Sequence, residues 1–538
     1  MASENNKFGM GLLQPSDNDI ENVAKLVNSN GGKWGYVTLV IQENDKNTKK
    51  WQEIFDKLRK FRLIPIVRIA TIPEGNNWKR PDEKQAKDWA IFLDSLNWVV
   101  KNRYVILFNE PNHATEWGGR VDSKSFKNAI KFYSQALKEK NRDFFVMMAG
   151  FDASAPNATP NFLDEYSYLS QIVDGDLFKY IDGWSSHSYP NPGFVGSVYD
   201  YGKGSVRTYQ WELGILKELG IDKKLPIFIT ETGWPHKENT TGRYCGYYSC
   251  DTTSIYIVNA FNNVWLPDEN VVAVTPFVFN YQGDPFDVFS WVKPDGKDFY
   301  PQYYEVQSVN KIEGNPNQIN KILIKNKLPI EILEGSIYSF ELDLRNEGQS
   351  ILDRLDGYKL LSSNNNLKIN FSNFSEFIPF TNTKIKLYLN TEKDEIGDKT
   401  TKISLYKKDK LIIDFFNWNY KVLALPKLEI NVNKLFEINT KSNKFELQVF
   451  DKEENMVFSQ KNIEISNGKG QIGKIRNVVL GEKYRVVILH SYYLPRQEYV
   501  VFKKDNNRVK FESMLPLDYN LDGNFSIEDV YLFFTKLL

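Results

Sequence analysis

The sequence predicts an α/β fold: a (β/α)8 TIM barrel, followed by two β-sandwich modules and a short EF-hand-like C-terminal segment. Three observations carry this. Eight short apolar runs alternate with segments of helical periodicity over residues 1–315. Strand-like alternation replaces that periodicity beyond Pro316. Near the end, oxygen-bearing side chains recur at a fixed loop spacing.

The apolar runs lie at 8–13, 34–41, 64–70, 104–109, 144–150, 181–189, 227–231 and 271–280. A run such as Tyr104-Val105-Ile106-Leu107-Phe108 is apolar without a break, the mark of a strand buried on both faces of a parallel sheet. Between the runs, 51–61, 83–100, 123–138 and 205–219 space apolar residues by three and four, as amphipathic helices do. An open doubly wound sheet would show the same alternation, but no Gly-x-Gly-x-x-Gly follows the first run, which removes support for its dinucleotide-binding form.

In a parallel barrel, chemistry belongs to the carboxyl ends of the strands. Those ends carry Arg68 on strand three, Asn109-Glu110 on strand four, His187-Ser188-Tyr189 on strand six, Glu231 on strand seven, and Asn280 with Tyr281 on strand eight. Strands four and seven lie on opposite sides of the mouth, so Glu110 and Glu231 are placed to flank a sugar ring. Two carboxyls without a metal cluster or a nucleotide motif suit hydrolysis of a glycosidic bond, which needs one acid for the leaving oxygen and one carboxylate at the anomeric carbon. Either glutamate alone fits a structural carboxylate paired with an arginine equally well. The pair, with His187-x-Tyr189 between them, favours catalysis.

Phe108-Asn109-Glu110-Pro111, His187-x-Tyr189 and Glu231-Thr-Gly-Trp-Pro resemble the signatures of the clan A retaining glycoside hydrolases, and the last is similar to that of the clan's β-1,3-glucanases. The resemblance covers roughly the first 300 residues, the size of one such barrel. It implies Glu110 as general acid/base, Glu231 as nucleophile, Asn109 on the sugar 2-hydroxyl, and Tyr189 or His187 orienting the nucleophile. Strand eight departs from the pattern: where the clan often has a tryptophan, Pro276-Phe277-Val278-Phe279-Asn280-Tyr281 stands, leaving Phe279, Tyr281 or Trp291 as the floor of the sugar site. Trp117, Trp234 and Trp291 are candidate sugar platforms or packed rim residues. His113, His187 and His236 follow strands four, six and seven; a zinc site is conceivable, but their spacing is not that of metal ligands, and sugar hydrogen bonding is the better reading.

The totals narrow the classes. Lys+Arg and Asp+Glu both number 68, so no net charge draws the chain to nucleic acid or anionic membrane. No segment has the apolar length of a membrane span, and residues 1–6 lack the apolar core of a signal peptide. Eleven of twelve tryptophans precede residue 300, which separates a catalytic module from accessory ones. Cys245 and Cys250 are the only cysteines, and a bridge between them is expected to hold a tyrosine-rich loop at the cleft.

The accessory region divides near Pro426 into 317–424 and 427–512, each with short alternating strands and Asn, Gly or Asp turns. With few tryptophans, they read as spacers rather than carbohydrate binders. In 513–538, Asp518, Asn520, Asp522, Ser526 and Asp529 take loop positions 1, 3, 5, 9 and 12, Gly523 takes 6, and Asn524 offers its carbonyl at 7; this is calcium-loop spacing. It resembles one half of a type I dockerin, which implies calcium and a cohesin partner, although dockerins carry two such repeats. The expected protein is a secreted or surface monomer whose signal sequence is missing from this sequence. It cleaves a β-linked glycan, needs no cofactor for catalysis and holds Ca2+ at the C-terminal loop. The rival from another class is a catalytically silent barrel that binds glycan or scaffolds a cell surface.

Overall fold

The computed structural model describes residues 5–238, 246–370, 376–392, 394–435 and 441–537. It divides into two compact units, Met1–Ile319 and Asn320–Leu538.

The first unit alternates strand and helix eight times. The strands are β1 (Gly9–Leu12), β2 (Gly35–Gln42), β3 (Leu63–Ala70), β4 (Arg103–Leu107), β5 (Phe144–Met148), β6 (Trp184–His187), β7 (Ile227–Glu231) and β8 (Val271–Val274). The helices between them are α1 (Asp17–Val27), α2 (Thr48–Lys60), α3 (Gln85–Ser95), α4 (Ser123–Lys140), α5 (Glu165–Ile172), α6 (Thr208–Glu218), α7 (Cys250–Ala260) and α8 (Pro301–Ser308). Neighbouring strands pair in parallel from β1 to β5 and from β6 to β8. Parallel bridges Met147↔Gly183 and Phe8↔Val274 join the two sheets at both edges, making one barrel-like ring of eight strands.

Local chemistry sets the helix ends. Ser16, Asn47, Asp122, Asp164 and Ser249 cap α1, α2, α4, α5 and α7, each accepting a backbone N–H of the first turn. The strands are almost wholly buried, with apolar residues filling both the interior and the helix-facing side. At the floor of the barrel, Tyr104 of β4 and Phe228 of β7 meet across the axis with centroids 5.2 Å apart, and Tyr36 and Phe145 close the cluster. Such pairs are worth about 0.5–1.5 kcal/mol beyond their area. They pack between the two strands that lead to Glu110 and Glu231.

In the second unit, two four-stranded sheets form from residues 322–423. One orders Ile322–Ile324, Ile337–Asn346, Asn382–Asn390 and Leu367–Asn370; the other orders Glu331–Leu333, Lys410–Leu423, Gly397–Lys407 and Tyr358–Ser362. Residues 428–510 form one seven-stranded sheet, ordered Tyr493–Val501, Lys483–His490, Ser442–Phe450, Met456–Ser466, Lys469–Ile472, Leu428–Asn431 and Asn507–Lys510. One continuous apolar core runs through both halves. The Tyr338 hydroxyl donates to the Val478 carbonyl at 3.1 Å, and Ile337 N–H to Asn477 Oδ1 at 2.8 Å, so the division near Pro426 separates sheets but not cores. Trp418 is buried in that core. Helix α9 (Ile527–Leu537) ends the chain. No helix among the described residues is long and apolar enough to cross a membrane.

Candidate active site

At the carboxyl end of β4 the backbone turns sharply: Phe108 and Glu110 have φ of +73° and +30°, a region that costs a non-glycine residue about 1–3 kcal/mol. Glu110 N–H donates to the Gly150 carbonyl at 3.0 Å and His113 N–H to the Glu110 carbonyl at 2.9 Å, which hold the turn. Between β6 and β7 the register shifts after Ser186, and His187 becomes the cross-strand partner of Glu231. The shift aims both side chains at the mouth.

The result is a compact triad. His187 Nδ1 lies 2.8 Å from Glu110 Oε1 and 3.9 Å from Glu231 Oε2. A carboxylate oxygen of each glutamate and the imidazole nitrogen all lie within 4.8 Å of one another. Arg68 donates to Glu231 Oε1 at 2.7 Å and also to Asn109 Oδ1, and the Tyr189 hydroxyl donates to Glu231 Oε2 at 3.1 Å. Burial pushes the Glu231 carboxyl up, but His187, Arg68 and Tyr189 outweigh it, and the group is held below the usual carboxylate range. Burial pulls the His187 imidazole down, while Glu231 and Glu110 more than reverse this and raise it. The Tyr189 hydroxyl is raised by burial and the two carboxylates, so it stays a donor.

The triad sits in a cavity of about 1510 Å³ that Arg68, Asn109, Glu110, His113, His187, Tyr189, Glu231, Asn280 and Tyr281 all line. Asn280 Nδ2 donates to Asp19 Oδ1 at 3.3 Å. His113 Nε2 is 2.7 Å from Asp152 Oδ2, and this partner outweighs burial to raise its pKa.

The three candidate tryptophans are all buried. Trp117 is 0% exposed, wedged between Phe108 and Phe126; Trp234 donates its indole N–H to the Gly196 carbonyl and packs on Tyr256; Trp291 is buried in the barrel core. Trp117 borders the cavity from a buried position, whereas Trp234, Trp291 and fully buried Phe279 do not line it. The aromatic lining includes Trp78, Tyr189, Phe194, Phe277, Tyr281 and Phe286. His236 is fully buried away from the cavity.

A third carboxyl escaped the sequence reading. Glu116, on the short helical turn Ala114–Glu116 after β4, lines the cavity, and burial together with the Glu110 charge raises its pKa to about 7. Trp78 was missed as well, although its place in the β3–α3 loop puts it on the reactive rim. Cys245 lies outside the described residues, and with it the expected bridge; Cys250 stands as a free, buried cysteine.

No family model matches the chain, and no curated protein matches it. Solved structures similar to it include glycoside hydrolases at low identity. A β-xylosidase from Caulobacter crescentus is 10% identical, with a TM-score of 0.40, over 91% of this chain and 97% of that one. An endo-β-1,4-glucanase from Xanthomonas axonopodis pv. citri is 12% identical, with a TM-score of 0.38, over 56% and 97%. A β-mannanase from Thermomonospora fusca is 13% identical, with a TM-score of 0.36, over 56% and 91%.

Proposed function

We propose that the chain hydrolyses β-glycosidic bonds in an oligosaccharide or polysaccharide with retention of configuration. The observation that carries this is the approach of the Glu110 and Glu231 carboxylates to within 4.8 Å across one cavity. That spacing suits a double displacement, for which carboxyls stand about 5–5.5 Å apart, rather than the wider gap that admits a water for inversion. Glu231, kept ionised by Arg68 and Tyr189, is the nucleophile; it attacks the anomeric carbon as Glu110 gives its proton to the leaving oxygen. Glu110 then takes a proton from the water that breaks the glycosyl–Glu231 ester. His187 bonds Glu110 and faces Glu231, holding the two carboxyls in register. The cavity exceeds the about 300–1,000 Å³ typical of small-molecule pockets, which favours a substrate of several sugar units.

Aryl β-glycosides and panels of β-glucan, mannan, xylan and galactan test the reading. Turnover by the wild type, with the anomer of the first product read by NMR, should show retention. Glu110→Gln and Glu231→Gln should each abolish hydrolysis while sugar binding persists. Binding with no turnover across the panel would point to the silent barrel instead.

We further infer that the 518–529 loop takes calcium. Gly523 adopts φ of +81° at the sharp turn, and Asp518 Oδ1 is buried without a hydrogen-bond partner, as an oxygen reserved for a cation would be. Asp529 accepts backbone N–H groups from Tyr519, Asn520 and Ser526, which pre-shapes the loop. Calorimetric titration with Ca2+ should give one site in the wild type and none in Asp518→Ala. The proposed hydrolysis runs through no metal, and full turnover after chelation is the expected result.

A further inference from the structure

A second cluster lies outside the cavity, where the chain leaving β7 meets the start of α7. His236 is fully buried, and its Nε2 lies 3.1 Å from the Ser290 carbonyl, which can only accept; Nε2 therefore carries a proton. In the neutral ring this leaves Nδ1 as a lone pair, and Nδ1 is buried with no hydrogen-bond partner. Glu238 is anchored from the other side: its Oε1 accepts the Cys250 N–H at 3.0 Å. Its Oε2 is also buried without a hydrogen-bond partner, and it faces His236 Nδ1 at 3.6 Å. Two acceptors thus confront each other, and the Cys250 thiol, which bonds the Glu238 carboxyl, lies beside them. The donor atoms of His236, Glu238 and Cys250 all lie within 4.8 Å of one another.

We propose that His236 Nδ1, Glu238 Oε2 and Cys250 Sγ form a binding site for a divalent cation of zinc type. A positive ion between the two facing acceptors removes the conflict that the side chains alone leave. Imidazole, carboxylate and thiolate together select Zn2+ over the hard cations that oxygen-only sites take. Bond lengths of 2.0–2.3 Å in a tetrahedron put donor atoms roughly 3.3–3.7 Å apart, and the His236–Glu238 separation of 3.6 Å already meets this. The Ser290 carbonyl on the far ring nitrogen is the orienting partner that metal-bound histidines characteristically have. Pairing of Lys237 N–H with the Tyr248 carbonyl at 2.9 Å, and of His236 N–H with Val288 at 2.9 Å, holds the ligand-bearing segment in place. On binding, the Cys250 thiol gives its proton to solvent as the sulfur–metal bond forms. The ion ties the segment that follows Glu231 to the first turn of α7, and its role is structural.

The test uses the full chain, reduced and stripped by chelator, then titrated with Co2+ as a spectroscopic stand-in and with Zn2+ as competitor. A thiolate-to-cobalt charge-transfer band should grow to one Co2+ per chain and vanish with one equivalent of Zn2+. This band distinguishes the site from the oxygen-only loop at 518–529. Cys250→Ser, nearly isosteric, should abolish the band. Glu238→Gln and His236→Ala should weaken Co2+ binding at least 10-fold, and Cys245→Ser should keep both band and affinity. Absence of the band in the wild type, its survival in Cys250→Ser, or its loss in Cys245→Ser would overturn the proposal. So would protein isolated without reductant in which Cys245 and Cys250 are joined and no Zn2+ is bound.

Discussion

A methyl group on Gly150 would lie 2.2 Å from Cδ2 and 2.5 Å from Nε2 of His187. The residue just beyond β5 therefore has no side chain because the imidazole that bridges the two glutamates occupies that space. Gly150 also accepts the Glu110 N–H, so one residue supports both members of the pair. Gly150→Ala should displace the His187 ring and lower kcat by about 10²-fold, while the chain stays folded. Steady-state kinetics beside a urea melt check this; unaltered kcat would show that the ring has room to move.

Arg68 and Glu231 are each 15% exposed at the side chain, and their pairing holds Glu231 below its ordinary pKa. A depressed carboxylate contributes stability above its unfolded pKa and loses it as pH falls through the folded value. Arg68→Gln should therefore move the acid limb of kcat/KM to higher pH and reduce its plateau by about 10²-fold, the usual cost of one lost donor at a developing charge. A pH–rate profile of both proteins reads the shift.

Glu116 behaves in the opposite sense. Its folded pKa, about 7, lies above the ordinary value of 4.5, so the native state holds a proton that the unfolded chain releases. Its contribution is intact below pH 4.5 and is lost as pH rises toward 7. Glu116→Gln should flatten the stability profile across that window, by at most about 3 kcal/mol. Denaturant melts at stepped pH values measure it, and parallel profiles would refute the assignment.

Phe228 packs on Tyr104, Tyr36 and Phe145 beneath the rim that carries Glu110 and Glu231. Phe228→Ala should cost about 3–5 kcal/mol of stability through the cavity it leaves. Because it sits between the strands bearing Glu110 and Glu231, kcat should fall with KM little changed. Melts and kinetics on one preparation separate the two effects.

The barrel was readable because its strands are buried on both faces and so run apolar without interruption; all eight expected runs overlap observed strands. The meeting of Glu110 and Glu231 was readable because strand ends in such a ring face one rim. The placement of Trp117, Trp234 and Trp291 was not, since a loop tryptophan turns inward or outward according to neighbours on the following helix, such as Phe126 for Trp117 and Tyr256 for Trp234. Glu116 follows no strand directly; only the fold of the Ala114–Glu116 turn brings it to the cavity. Beyond residue 320, alternation marked strands but not their partners. Leu428–Asn431 pairs in parallel with Asn507–Lys510, almost 80 residues away, a pairing that alternation alone does not announce.

The one-residue slip between Ser186 and His187 puts the imidazole on the same rung as Glu231. The groups proposed to react are thus indexed by strand pairing, while the aromatic walls hang on the connections above. Grafting foreign connections after β3 or β8 should retarget the molecule to a different polymer and leave its bond-breaking step unchanged.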